Sequence, residues 1–254
     1  MSTLLPARDA ATMLRRNVKH TLRSPDTMIM SVALPVVILL LFVYIFGGAM
    51  HVGTAYLNYV VPGVILLCAG FGAATTATAV AVDLAEGIVD RFRTMNIARS
   101  SVLTGHVAAS LLRNLTSTAV VIGVAVAMGF RPTAGPLAWL GAIGTIAAFI
   151  VAISWVSVAL GLLARNPEAA QGFTFGFMFL PYVSSAFVPV ETLPSWLRGF
   201  AEHQPVTPVI ETVRGLLMGT ATGDSPERAL LWCGAIAAVG YVAATVLFAR
   251  RGSR

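Results

Sequence analysis

Leu137-Ala-Trp-Leu-Gly-Ala-Ile-Gly-Thr-Ile-Ala-Ala-Phe-Ile-Val-Ala-Ile-Ser-Trp-Val-Ser-Val-Ala-Leu-Gly-Leu-Leu-Ala164 contains no Asp, Glu, Lys or Arg. A helix needs about 20 predominantly apolar residues to cross the hydrocarbon core of a bilayer, and this run exceeds that. It is not isolated. The 254-residue chain is 57% hydrophobic and 11% charged, with a mean hydropathy of +0.81. Soluble domains carry about 25% charged residues, so the composition excludes a soluble enzyme, a disordered chain and a nucleic-acid-binding domain. A formal charge of +6 on so apolar a chain points to a membrane.

Five further apolar runs flank the first: Met28–Gly48, Leu57–Val82, Val107–Gly129, Phe173–Val188 and Ala229–Ala249. The expected fold is therefore all-α, a polytopic integral membrane protein with six transmembrane helices. The run Phe173–Val188 is the shortest and carries Pro181, while Pro35 and Pro62 predict kinks in the first two spans. The first run is longer than the roughly 7–15-residue apolar region of a signal peptide. Cys68 and Cys233 sit inside apolar runs and imply neither disulfide nor metal site. With six spans, thirteen of the seventeen basic residues fall on one side, counting Arg113 at the edge of the second-to-third loop, against four on the other. The positive-inside rule then places both termini in the cytoplasm.

Residues 1–26 form their own segment. Ala10, Leu14, Val18 and Leu22 recur every four residues beside a stripe of Arg15, Lys19 and Arg23. That is the pattern of an amphipathic helix lying on the cytoplasmic face of the lipid, closed by Pro25. It serves as a topogenic anchor, or as an elbow helix that also touches a partner. The cytoplasmic loop 83–106 carries Asp83, Glu86 and Asp90 on one helical face, then Arg91 and Arg93 among the apolar Phe92, Met95 and Ile97. Such a segment suits docking into a groove of another protein. It also fits a solvated connector whose arginines only set topology.

The external segment 189–228 is no ordinary loop. Leu193, Trp196, Leu197 and Phe200 make an apolar stripe suited to a membrane interface. The following stretch Val206–Met218 is apolar but too short to cross, and with Pro205 and Pro208 it fits a re-entrant element, with Glu211 and Arg214 able to pair on one face. A small surface helix is the other reading. Phe173, Gly176 and Phe177 in the fifth run, with Phe71, Gly72 and Thr75 in the second, are candidates for a subunit interface and transport pathway, since glycines permit close helix approach. Packing inside the chain is the competing fate of each.

Two motifs carry a family resemblance. Glu86-Gly-Ile-Val-Asp-Arg-Phe-Arg93 with Ala98-Arg-Ser-Ser-Val-Leu-Thr-Gly105, and Phe187-Val-Pro-Val-Glu-Thr-Leu-Pro-Ser-Trp-Leu197 leading into His203-Gln-Pro-Val-Thr-Pro208 and Arg214-Gly-Leu-Leu217, resemble the permease subunits of ABC type-2 exporters. The likeness is greatest to the daunorubicin/doxorubicin-resistance permeases of actinobacteria. The resemblance implies that residues 27–254 form an ABC type-2 transmembrane domain in the bacterial plasma (inner) membrane. It also implies that two permeases pair as a homodimer or heterodimer, and that two copies of a separate ATPase bind from the cytoplasm. Asp83, Glu86, Gly87, Asp90, Arg91, Phe92 and Arg93 would then form the ATPase-coupling element, with Arg165-Asn-Pro-Glu168 as a lesser contact or merely a polar turn. An external re-entrant segment is implied as well.

The chain's own chemistry agrees with a division of labour. Its sole lysine is Lys19, and a P-loop requires a lysine after a glycine-rich turn. No cofactor is expected here; ATP and Mg belong on the partner ATPase. The chain is not expected to be an enzyme by itself, nor to bind a metal or nucleic acid. Mid-span acidic residues, common in proton-driven carriers, are lacking. The reading is an exporter subunit for a hydrophobic or amphiphilic compound in contact with membrane lipid, the alternatives being a secondary transporter or a membrane scaffold or sensor.

Overall fold

The structure is a computed structural model that describes residues 25–49, 55–87 and 99–251. The proposed N-terminal amphipathic helix, apart from its end at Pro25, lies outside these residues, as do Asp90, Arg91, Phe92 and Arg93. All regular structure among the described residues is helical. α1 (Pro25–Leu40) opens on Pro25 and continues as a π-helical segment, Leu41–Phe46. α2 spans Tyr56–Ala85, α3 Arg99–Ala127, α4 Pro136–Leu163 and α5 Pro167–Phe179. α6 (Ser195–His203), α7 (Val206–Met218) and α8 (Ser225–Arg251) complete the chain.

Four of these, α2, α3, α4 and α8, are long and apolar enough to cross a membrane. The first expected run, Met28–Gly48, is helical through Phe46 in α1 and its π-helical continuation. Another expected span comes out differently. The run Phe173–Val188 is not one helix: α5 starts earlier, at Pro167, and ends at Phe179, and a 3-10 turn, Leu180–Val183, follows. Pro181 is the physical reason, because it lacks the amide that would continue the helical ladder. The start of α5 follows the polar-turn reading of residues 165–168. Asn166 accepts a 2.8 Å hydrogen bond from the Ala169 amide, and Pro167 occupies the first turn.

α2 is the axis of the bundle. In its most apolar stretch 78% of residues are buried within the chain, against 17% for α8. α1, α3, α4, α5 and α7 all pack on α2, and α8 packs on α4 and α7. Contact is close where side chains are missing. A Cβ on Gly161 of α4 would stand 2.5 Å from the Ala77 carbonyl oxygen and 2.9 Å from Val80 Cβ on α2. At Gly240 of α8 it would lie 2.7 Å from the Val156 amide nitrogen, beside the edge-on Trp155 and Tyr241 rings, 4.9 Å apart. In lipid, where apolar burial drives helices together only weakly, such backbone approach supplies the dispersion contact that holds a bundle. α7 is enclosed on most sides: its apolar face Val206, Val209, Ile210, Val213 and Leu217 is buried, as are Thr207 and Thr212, and it packs on α2, α4 and α8.

Substituting Gly161 by Val is expected to lower the stability of the purified chain in a non-ionic detergent by about 1–3 kcal/mol, the usual cost of overpacking. Gly144→Ala, at a position where a Cβ meets nothing within 4 Å, is expected to hold or raise the thermal midpoint. Thermal unfolding followed by circular dichroism checks both.

Candidate functional site

The sequence-predicted residues fall into three groups that do not converge. The first lies at the end of the bundle where α2 stops and α3 begins. Glu86 is exposed and caps α2, its amide bonding the Val82 carbonyl at 2.9 Å. Gly87 has φ +67, a left-handed conformation that a side chain would strain, and it turns the chain away from the helix. Asp83 faces back into the bundle: its Oδ2 is 3.3 Å from His106 Nε2, both side chains being largely buried. The two residues that bound the predicted loop 83–106 are thus held against each other. His106 carried no sequence signal of its own, since its partner lies twenty-three positions away on another helix.

The second group lies at the opposite end of α2. Arg214 on α7 donates from Nε to the Tyr59 carbonyl at 3.2 Å and from Nη2 to the Ser185 carbonyl. Its guanidinium carbon stands 3.8 Å from the centre of the Tyr59 ring. The Tyr56 hydroxyl donates to the Phe187 carbonyl at 3.0 Å, and Ala186 sits against Gly63, where a Cβ would meet it at 2.6 Å. Glu211 and Arg214 share a helix, but their direct partners differ: Glu211 accepts from the Ser225 hydroxyl at 3.0 Å. Gln204 was not predicted. It is buried, and its Nε2 donates to the Val183 carbonyl at 3.0 Å and the Leu180 carbonyl at 3.3 Å, satisfying acceptors that the break at Pro181 exposes. Pro205 then leads into α7, with Pro208 buried in its first turn.

The third group concerns α2 and α5. Gly72 is spent inside the chain. The Asn114 side chain of α3 occupies the space a Cβ would take, so the close approach that Gly72 permits is to a helix of the same chain. Thr75 bonds the Gly72 carbonyl at 2.9 Å, and Phe71 packs on the core. Phe177 is half-buried, and Leu66, Phe149, Ile153, Pro181 and Val206 line with it a small apolar recess between α2, α4 and the 3-10 turn. That recess can hold hydrocarbon and offers no charge. Phe173 and Gly176 face outward, as do Phe175 and Phe179.

A buried polar cluster joins the centres of α2, α3 and α4. Ser110 Oγ lies 2.8 Å from both Thr76 Oγ1 and Ser154 Oγ, and Asn114 Nδ2 bonds the Ser110 carbonyl at 2.9 Å. Arg113 joins it through Nη2, 3.1 Å from Thr76 Oγ1. The placement of Arg113 at a loop edge is therefore corrected: α3 begins at Arg99, which puts Arg113 midway along it.

Residues 8–218 match the family described as ABC-2 type transporter. The chain belongs to that family. It is 31% identical over 225 residues, 85% of its own length and 79% of the relative's, to the daunorubicin resistance ABC transporter permease protein DrrB1 of Streptomyces coeruleorubidus. It is 28% identical over 248 residues, 91% of its length and 88% of the relative's, to the probable doxorubicin resistance ABC transporter permease protein DrrC of Mycobacterium tuberculosis. Both relatives are permeases, which agrees with a membrane component that is not itself the ATPase.

Arg214→Met is expected to destabilise this ABC-2 permease by about 3 kcal/mol, as hydrogen bonds to a charged donor are lost, and to speed amide exchange in residues 184–187. Arg214→Lys is expected to recover less than half, because one ammonium cannot serve two carbonyls and a ring. Hydrogen exchange read by mass spectrometry separates the three proteins.

Proposed function

We propose that the chain is the membrane subunit of an ATP-driven exporter of hydrophobic or amphiphilic compounds, working with two copies of a separate ATPase and a second permease, identical or related. The match of residues 8–218 to the ABC-2 family carries this reading, and the lack of a P-loop lysine in the chain supports the division between conduit and motor. The cargo class follows from the resistance permeases it is similar to and from the apolar, uncharged recess beside α5.

The proposed topology has six crossings. α1 with its π-helical continuation is one. α5 with its 3-10 turn is another: thirteen α-helical residues and four 3-10 residues extend about 28 Å, near the roughly 30 Å of a hydrocarbon core. α7, at thirteen residues, reaches about 20 Å, which suits a re-entrant element on the outer side. Its enclosure by α2, α4 and α8 supports that reading, since irregular backbone at membrane depth is tolerated only where protein covers it. The exposed Trp196 and Phe200 of α6 suit the outer interface. Both termini and the loop 83–106 are cytoplasmic in the bacterial inner membrane, and the segment from Glu86 to Arg93 meets the ATPase. With Asp83 and His106 holding the loop ends together, a push on the loop is delivered to α2 and α3 jointly. The exposed face of α5, with Phe173 and Gly176, is the proposed permease–permease contact, and the apolar recess at Phe177 faces the pathway.

Co-expression with a cognate ATPase is expected to yield a complex whose ATP hydrolysis responds to cargo in proteoliposomes. Charge reversal at Glu86 and Arg93 together is expected to reduce that response by roughly tenfold or more, the scale of losing interfacial charge pairs, while insertion is unchanged. An unaltered response would overturn the coupling assignment. Cysteines introduced at either end of the chain are expected to label from the cytoplasmic face only. The natural Cys68 and Cys233 are both buried and leave a quiet background.

A further inference from the structure

Among the described residues Arg113 is a cation without a counter-ion. It lies about 16 Å along α3 from Val102, where the apolar stretch of that helix begins, and so close to the middle of a roughly 30 Å hydrocarbon core. A guanidinium has five N–H donors and no acceptor. Here Nη2 reaches Thr76 Oγ1, and Nε is enclosed with no partner. No carboxylate of the described residues lies within ion-pair distance of it. On α2 the nearest acidic residue is Asp83, seven positions from Thr76, and it is held by His106. α4 has no acidic residue at all. Ser110, Asn114 and Ser154 are engaged with one another.

A cation that deep is costly and is kept where something negative shares its site. Nor is Arg113 a topogenic charge reaching for the interface, because its side chain turns sideways to α2 rather than along α3 to an end. Its side chain is partly exposed, beside the outward-facing Leu112, Thr116 and Val120 of α3. The site therefore pairs a largely enclosed, only partly exposed planar cationic fork with a neighbouring apolar surface at mid-membrane depth. Phosphate and carboxylate groups match that fork bidentately.

We propose that Arg113 receives the acidic headgroup, phosphate or carboxylate, of an amphiphile whose hydrocarbon lies along the outward face of α3, so that the cargo of this permease is an anionic amphiphile. The assignment rests on the transporter reading for its purpose, but the binding it requires belongs to this chain alone. A cationic amphiphile is repelled at the same point.

The test is equilibrium binding of a fluorescent oleoyl lysophosphatidate to the purified full-length chain in a non-ionic detergent, together with its melting temperature. Arg113→Met is expected to weaken binding roughly tenfold or more, the scale of a lost charge-assisted pair, and to melt no lower than the natural protein, since an uncompensated buried cation has been removed. Arg113→Lys is expected to bind with intermediate strength. Dodecyltrimethylammonium and inorganic phosphate are each expected to fail as competitors, the first for its charge and the second for want of a chain. Unchanged binding by Arg113→Met overturns the site. Loss of binding together with a lower melting temperature in Arg113→Met also overturns it, because a structural cation accounts for both. Effective competition by the ammonium overturns the charge selectivity, and effective competition by phosphate alone overturns the amphiphile. If Arg113-dependent binding holds while no ATPase assembles with the chain, the exporter reading fails and the site stands.

Discussion

The enclosure of α2 is the constraint on which the rest of the structure depends. Every residue from Val60 to Gly70 is buried by the chain itself, so α1, α3, α4, α5 and α7 must all reach one helix. They can do so only where a side chain is missing or a polar group finds a partner. Gly63 admits the turn at Ala186, Gly72 admits Asn114, and Gly161 of α4 lies against the Ala77 carbonyl. Because lipid is as apolar as the helix surfaces, these approaches and the hydrogen bonds around Ser110 hold the helices in register where burial of area alone would not.

The two ends of that axis are built differently. At one end α2 is tied by Arg214, by the Tyr56 hydroxyl and by the turn at Ala186, with Gln204 fastening the adjoining 3-10 turn to α7. Three separated stretches of chain meet there through charge-assisted and neutral hydrogen bonds. At the other end Asp83 pairs with His106, Val80 and Leu84 of α2 pack with Leu103 and Val107 of α3, and Gly87 ends α2 in a left-handed turn.

Much of the fold was legible in the sequence because the bilayer imposes a length and a polarity on any crossing helix. α2, α3, α4 and α8 are legible as long, mostly apolar runs, whereas the start of α5 at Pro167 lies before the apolar run Phe173–Val188 that marks it in the sequence. The family was legible from the charged loop and from the motif around Gln204. What could not be read depends on which face of a helix meets which neighbour. Apolar periodicity is nearly silent when all sides are hydrophobic, so Gly72 looked as fit for an interface as for internal packing. Arg113 was assigned to an edge because its helix begins eight residues before the apolar run does. His106 and Gln204 are single polar residues whose partners lie far away in sequence, and no local spacing announces them.

The reach of Arg214 also sets an order of events during synthesis. Its partner Tyr59 lies 155 positions earlier, so the start of α2 leaves the ribosome well before α7 exists. At about 5–20 residues per second that interval is on the order of ten to thirty seconds. During it the Tyr59 carbonyl lacks its eventual donor, and the surface of α2 that α7 will cover faces lipid, water or the insertion machinery. The nascent permease is therefore an unfinished object at its most critical point for most of its own translation, and it closes only when its last quarter arrives.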